Sequence, residues 1–180
     1  MSTVSRILGE ARPPTEVEKR DPHWAYLYAD SVLSGRWPEA EAVIATDPRW
    51  AYYYAKDILK DRFPEGEKAI ATDAYFAYLY ADSVLSGRWP KGEAAIAKDP
   101  IYAYRYATEV LDGRFPEGEK AIATDAYYAY LYAEHVIKGR WPEAEKAIAA
   151  DPRWSEQYLK IFPDAKLDWA MNGLIDWTDL

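Results

Sequence analysis

The sequence predicts an all-α fold, a right-handed α-solenoid of short helix pairs. Three features carry that prediction: a 26-residue period, helical spacing of apolar residues within each period, and proline and glycine at fixed places between them. Written in rows of 26, the chain gives five full rows starting at Asp21, Asp47, Asp73, Asp99 and Asp125, and a sixth that opens at Asp151 and degenerates. The first row reads DPHWAYLYADSVLSGRWPEAEAVIAT and the second DPRWAYYYAKDILKDRFPEGEKAIAT. Units of this kind bury their apolar faces only against their neighbours, so the period itself implies an array.

A longer period lies beneath the first. Residues 62–81 and 114–133, 52 apart, match at 19 of 20 positions, differing only at Phe76 and Tyr128. Residues 27–38 and 79–90 are identical. The array therefore resembles a doubled pair of rows, and some of the likeness between rows reflects copying.

The elements follow in order along a row. Asp at position 1 is an N-cap, and Pro22, Pro48, Pro100 and Pro152 at position 2 suit the first helical turn, where no N–H is needed. Apolar residues then fall at positions 4, 5, 8, 9, 12 and 13, in row one Trp24, Ala25, Tyr28, Ala29, Val32 and Leu33. Gly35, Gly87, Gly113 and Gly139 are expected to end this helix in the left-handed conformation, with Asp61 doing so in row two. Pro38, Pro64, Pro90, Pro116 and Pro142 open a second, shorter helix with Glu in its first turn. Its buried side offers mainly Ala and one Ile (Ile44, Ile70, Ile96, Ile122, Ile148), which predicts close packing. Strict alternation never lasts, so a β reading fails.

The ends differ from the rows. Residues 1–20 are read as an N-terminal cap, 21–150 as five repeats, and 151–180 as a degenerate sixth repeat with a C-terminal cap. In the last segment Leu167, Trp169, Met171 and Leu174 are available to cover the final open face.

Composition narrows the function classes. The chain is 49% hydrophobic and 29% charged, as a globular chain is. Its 22 basic and 30 acidic residues leave −8, a field that opposes phosphate backbones and sets nucleic acid aside as a partner. With no cysteine, disulfides, thiolate metal sites and cysteine nucleophiles are excluded, which fits a reducing cytoplasm. No stretch approaches the roughly 18 apolar residues of a membrane span. The opening MSTVSRILGEARPP lacks a long apolar run, so no secretory signal is expected. Tyr, Trp and Phe number 16, 8 and 4, an excess that asks for an explanation in packing or in binding.

Three recurring columns are candidates for chemistry. Arg36, Arg62, Arg88, Arg114 and Arg140 stand at position 16, each with a Glu five residues later (Glu41, Glu67, Glu93, Glu119, Glu145). They form either a ladder for phosphates and carboxylates or, the favoured reading, structural pairs with row acids that stack on aromatics. Tyr26, Tyr52, Tyr78, Tyr104 and Tyr130 at position 6 lie at the edge of the apolar arc. Inter-row packing is favoured for them over a stacking platform, with the hydroxyl reaching water or a carbonyl. Their companions Tyr28, Tyr54, Tyr80, Tyr106 and Tyr132 belong in the core.

The third column is where the rows differ. Position 3 carries His23, Arg49, Tyr75, Ile101 and Tyr127, and position 7 carries Leu27, Tyr53, Leu79, Arg105 and Leu131. Four apart, the two positions are neighbours on a helix, and together they put apolar side chains on an otherwise solvated face. They are the candidate partner-binding stripe, unless the next row's short helix covers them.

Enzyme signals are nearly absent. His23 and His135 sit at different positions in different rows, away from metal-ligand spacing, and no phosphate loop, nucleophile elbow or H-E-x-x-H occurs. No catalytic residue and no cofactor or metal is assigned.

The unit A-Y-x-Y-A-x-x-V-L-x-G-R-W-P-E-x-E-x-x-I-A, here Ala25 to Ala45, resembles tandem repeats of bacteriophage and bacterial proteins of mostly unassigned function. The resemblance covers about residues 21–160. It implies a helical repeat array of bacterial or phage origin, and carries over no catalytic residue. The reading that follows is a non-enzymatic module that binds another protein or a second copy of itself in the cytoplasm of a bacterial or phage-infected cell. Two others stand beside it: an inhibitor of a host defence enzyme that imitates nucleic acid with an acidic surface, and a nucleotide or small-ligand binder using the Arg and Tyr columns.

Overall fold

The computed structural model describes residues 14–167, which are helical, with no strand among them. The helices are α1 (Pro22–Tyr28), α2 (Pro38–Ile44), α3 (Pro48–Tyr53), α4 (Glu67–Ile70), α5 (Ala74–Ser83), α6 (Pro90–Ile96), α7 (Pro100–Arg105), α8 (Pro116–Ile122), α9 (Ala126–Tyr132), α10 (Pro142–Ala149) and α11 (Pro152–Ile161). Each of the five full rows contributes one long and one short helix, packed on each other. The chain divides into two compact units, residues 1–96 and 97–180, so the boundary falls just ahead of row four.

The starts of the long helices follow from local chemistry. Asp21 accepts from the Trp24 N–H at 3.0 Å, and Asp47 from those of Arg49 and Trp50 at 2.9 and 3.1 Å. Asp73, Asp99, Asp125 and Asp151 cap their helices in the same way. Each cap is worth about 1 kcal/mol against Ala.

The ends depart from expectation. In four rows the long helix widens into a π turn, Ala29–Leu33, Tyr54–Leu59, Tyr106–Val110 and Ala133–Ile137. In row three one wide bond, Leu85 N–H to the Tyr80 carbonyl at 3.0 Å, does the same. The left-handed residue is then Ser34, Lys60, Ser86, Asp112 or Lys138, with φ between 48° and 55°. The expected glycines Gly35, Gly87, Gly113 and Gly139, and Asp61, are not left-handed. They come one residue later and close the motif by donating backward, Gly35 N–H to the Ala29 carbonyl at 3.0 Å and Gly87 N–H to that of Ala81 at 3.0 Å. The π turn adds a residue to the last turn, and this moves the reversal to position 14. At position 13 Leu33 is 44% exposed, while Leu59, Leu85, Leu111 and Ile137 are half-buried.

The core is a thin layer of Ala, Ile and rings. Ala25, Ala29, Ala51, Ala55, Ala77 and Ala81 are buried in the first unit, and Ala103, Ala107, Ala129 and Ala133 in the second. Small residues on the long helix let the short helix approach, where Ile44, Ile70, Ile96, Ile122 and Ile148 are fully buried. At Gly66, Gly92 and Gly118 the approach is closest: a Cβ on Gly66 would lie 2.5 Å from the Phe63 ring and 2.8 Å from the Ala51 Cβ. Rows one and five carry Ala40 and Ala144 there, with Trp37 and Trp141 in place of Phe.

Consecutive rows are joined by a buried polar contact. In the first unit the Tyr54 hydroxyl donates to Glu41 Oε1 at 2.9 Å and accepts from the Trp37 N–H at 2.8 Å. Tyr80 does the same with Glu67 and Phe63, at 3.3 and 2.9 Å. In the second unit Tyr132 joins Glu119 and Phe115, and Tyr158 joins Glu145 and Trp141. Tyr54, Tyr80, Tyr106, Tyr132 and Tyr158 are fully buried. Tyr28, in the first row, is only half-buried.

At the C-terminal end Ala165 and Leu167 are buried, and the Asp164 carbonyl accepts from Arg140 Nη1 at 3.0 Å. The other residues read as a cap, Trp169, Met171 and Leu174, lie outside the described residues. At the other end Glu18–Arg20 form a single 3₁₀ turn that packs against α1 and α2.

Candidate interaction surface

Position 3 is exposed in every full row, so the next row's short helix does not cover it. In the first unit the His23 ring stacks flat on Trp50, centroids 4.1 Å apart and planes 13° from parallel. Arg49 lies 5.9 Å from the centroid of Phe76 and 5.8 Å from that of Trp50. In the second unit Tyr127 packs on Trp154 at 4.5 Å. One rule covers all three pairs: the position-3 side chain lies over the position-4 ring of the following row. Its inner face makes an inter-row contact while its outer face stays open. Tyr75, Ile101 and Tyr127 are 38%, 38% and 39% exposed, and His23 and Arg49 are exposed too.

Position 7 sits deeper. Leu27, Tyr53, Leu79, Arg105 and Leu131 are all half-buried. Tyr53 lies among Tyr26, Trp50, Tyr52 and Phe76, with centroids 5.1 to 6.4 Å away. Arg105 is engaged by Glu109 at 3.0 Å. The outward chemistry of the stripe therefore belongs to position 3, and position 7 is its floor.

The position-6 tyrosines pack between rows, but their hydroxyls end on side chains, where water or a carbonyl was expected. Tyr26 donates to Asp57 Oδ2 at 3.2 Å, Tyr52 pairs with Ser83 Oγ at 3.0 Å, and Tyr104 pairs with His135 Nδ1 at 3.0 Å. Each partner stands at position 11 of the next row. Burial first, then the Asp57 and Asp30 carboxylates, push the Tyr26 hydroxyl well above the usual tyrosine range, so it stays a donor. Polar residues at position 11 are the signal that could have marked them. Beside these pairs run two equivalent shallow clefts. One is about 250 Å³, bordered by Asp30, Ser34, Asp57 and Lys60; the other is about 300 Å³, bordered by Tyr104, Asp112, His135 and Lys138.

The Arg column is paired within its own rows. Arg36 Nε and Nη2 donate to the two Glu41 oxygens at 2.6 and 3.0 Å, and Arg88, Arg114 and Arg140 grip Glu93, Glu119 and Glu145 likewise. Arg62 puts both donors on Glu67 Oε1, at 2.9 and 2.6 Å. The guanidinium groups reach the surface, while Glu41, Glu67 and Glu93 are buried. The Arg36 hydrogen bonds hold the Glu41 carboxyl below the usual carboxylate range against its burial, with help from Tyr54. Burial alone would raise Glu67, but Lys91 and Arg62 outweigh it. The cation–π contacts at Arg49, Lys56 and Arg153 are made outside this column.

Among the described residues no group of three His, Asp or Glu could hold a metal ion, and no helix is long and apolar enough to cross a membrane. Compared with known proteins, the chain matches no family model, no curated protein and no solved structure.

Proposed function

We propose that this chain is a non-enzymatic protein–protein interaction module, built as a right-handed α-solenoid of helix pairs, that binds through its position-3 face. The observation that carries this reading is the contrast between a repeated frame and a varied outward column. The frame repeats its Arg–Glu pair, its buried Tyr and its Asp cap from row to row. Over it, position 3 presents His23, Arg49, Tyr75, Ile101 and Tyr127, all exposed. A fixed scaffold carrying changing surface residues is how repeat proteins build binding surfaces. Exposed aromatic and apolar side chains anchored by a second ring supply contact area at low entropic cost.

The other two readings draw less support. Six Asp serve as helix caps and five Glu as partners of Arg, so eleven of the 30 acids are engaged inside the fold and are poor material for a nucleic-acid-like surface. The paired Arg column already spends its bidentate edge on Glu. A chain without cysteine fits the cytoplasm of a bacterial or phage-infected cell.

The test is Tyr75→Ser/Ile101→Ser/Tyr127→Ser, which leaves the half-buried position-7 floor intact. Capture from bacterial lysate, read by mass spectrometry, and self-association, read by sedimentation, are compared with the native chain at equal circular dichroism. Loss of a specific partner or of a dimer in the variant supports the reading. Equal capture and equal mass would sink it.

A further inference from the structure

The chain carries 16 Tyr and 8 Trp but no Cys, so the side chains that give up a single electron most readily are aromatic rings. In the second unit five of them stand in an unbroken file. Between ring centroids, Trp154 lies 4.5 Å from Tyr127 and 5.6 Å from Tyr130, Tyr127 lies 5.0 Å from Tyr128, and Tyr128 lies 5.6 Å from Tyr104. Rings this close are in contact, and an electron passes between them far faster than through saturated chain. The file opens at the surface, where Tyr127 is exposed and Trp154 half-buried, and it ends at Tyr104.

What distinguishes that end is a base. An oxidised tryptophan can hold its hole as a cation, whereas a phenol oxidised at neutral pH must shed its proton, so the hole rests where a base takes it. The Tyr104 hydroxyl pairs with His135 Nδ1 at 3.0 Å. Glu134 Oε2 stands 3.6 Å from His135 Nε2 and favours the tautomer protonated there, which leaves Nδ1 to accept. His135 is the only histidine of this unit. The buried Tyr132 has a poorer base, since it donates to Glu119, whose carboxyl Arg114 holds below the usual carboxylate range. At the other end of the file Arg153 lies 4.9 Å over the Trp154 ring, and its charge opposes a positive hole there.

We propose that this file is a one-electron relay, in which a surface oxidant takes an electron from Trp154 and the hole comes to rest on Tyr104. Tyr127 and Tyr128 bridge the two. In the closing step the Tyr104 hydroxyl gives one electron to the file and its proton to His135 Nδ1. The products are a neutral phenoxyl radical, an imidazolium and an oxidant reduced by one electron. The first unit holds a weaker counterpart: Tyr26 lies 5.3 Å from Trp50 and donates to Asp57 Oδ2 at 3.2 Å, and a carboxylate is a weaker base than a neutral imidazole.

Flash photo-oxidation of the full chain at neutral pH, with tris(bipyridine)ruthenium(II) and persulfate as the oxidant, tests this. Electron paramagnetic resonance follows the tyrosyl radical, and a nitroso spin trap with peptide mass spectrometry locates it. The cleft of about 300 Å³ beside Tyr104 gives the trap access. Tyr104 should carry more trapped radical than the exposed Tyr127 or than Tyr26. His135→Gln, at an exposed site, keeps a hydrogen-bonding side chain and removes the base. It should slow formation of the Tyr104 radical about a hundred-fold, whereas a His135 with only a packing role would leave the rate unchanged. Radical trapped mainly on Tyr127 or Tyr26, or a Tyr104 radical formed as fast in His135→Gln as in the native chain, overturns the proposal.

Discussion

The Tyr80 hydroxyl accepts from the Phe63 N–H at 2.9 Å and donates to Glu67 Oε1 at 3.3 Å, so one buried oxygen satisfies a backbone donor and a carboxylate of the preceding row. Removing it leaves both groups buried without that partner, which costs more than the bond itself contributes. Tyr80→Phe is expected to destabilise the chain by about 1–3 kcal/mol, seen as a lower urea midpoint. Tyr132→Phe, the same contact in the second unit, should cost a similar amount. A midpoint unchanged in both variants would show that the hydroxyl does not join the rows.

The same contacts set the pH range of stability. Glu41, Glu67 and Glu119 have carboxyls held below their ordinary value, Glu41 and Glu119 chiefly by Arg36 and Arg114, Glu67 by Lys91 and Arg62 against its burial. A lowered folded-state pKa contributes stability above the unfolded value and loses it as pH falls through the folded one. Unfolding on the acid side should therefore begin below about pH 4.3, the ordinary Glu value. Burial pushes Tyr54, Tyr80 and Tyr132 up to about 12, so their contribution is present below pH 10 and fades between pH 10 and about 12. Urea midpoints between pH 3 and 12 should trace both limbs. Tyr80→Phe should flatten only the alkaline one.

What the sequence made legible is what depends on neighbours in sequence. Asp caps, Pro at the first turn and the Arg–Glu pair all lie within a few residues of what they contact, and the Ala and Ile of the short helix announce themselves by their spacing. The Tyr–Glu contact was not legible, since Tyr80 and Glu67 lie thirteen apart in different rows and Tyr at position 8 reads as plain core. For the stripe, a polar-arc pattern placed His23 and Tyr127 on the surface side, but nothing local told that each lies over a ring of the following row. The helix ends misled because Gly is the usual left-handed residue, whereas a π turn shifts that conformation to a position filled by Ser, Lys or Asp.

That shift has a direct consequence at position 14. Lys60 has φ of 53°, a conformation that costs a residue with a Cβ about 1 kcal/mol and glycine little. Lys60→Gly is expected to be neutral or to stabilise by up to about 1 kcal/mol, although an exposed Lys replaced by Gly ordinarily weakens a helix. A thermal midpoint lowered by several degrees would contradict the left-handed assignment.

Two glycines of row two and row three should respond in opposite ways, and the sequence alone ranks them wrongly. Gly87, the apparent helix stop, is not left-handed, and a Cβ there meets nothing within 4 Å. Gly87→Ala should therefore be neutral or stabilise by about 0.4–1 kcal/mol through the unfolded chain. Gly66 looks dispensable, since Ala40 and Ala144 fill its place in other rows. Its Cβ would nevertheless lie 2.5 Å from the Phe63 ring and 2.8 Å from Ala51, and Phe63 is 1% exposed, with no room to turn away. Gly66→Ala should cost about 1–3 kcal/mol. Adding Phe63→Trp, the ring that rows one and five place beside Ala, should not by itself recover that loss, because row three sets Trp89 beside Gly92 and a Cβ there would also lie 2.5 Å from the ring. Urea midpoints of the three variants decide it: a tolerated Gly66→Ala or a damaging Gly87→Ala would mean that the tight approach lies at the helix end and not under the ring.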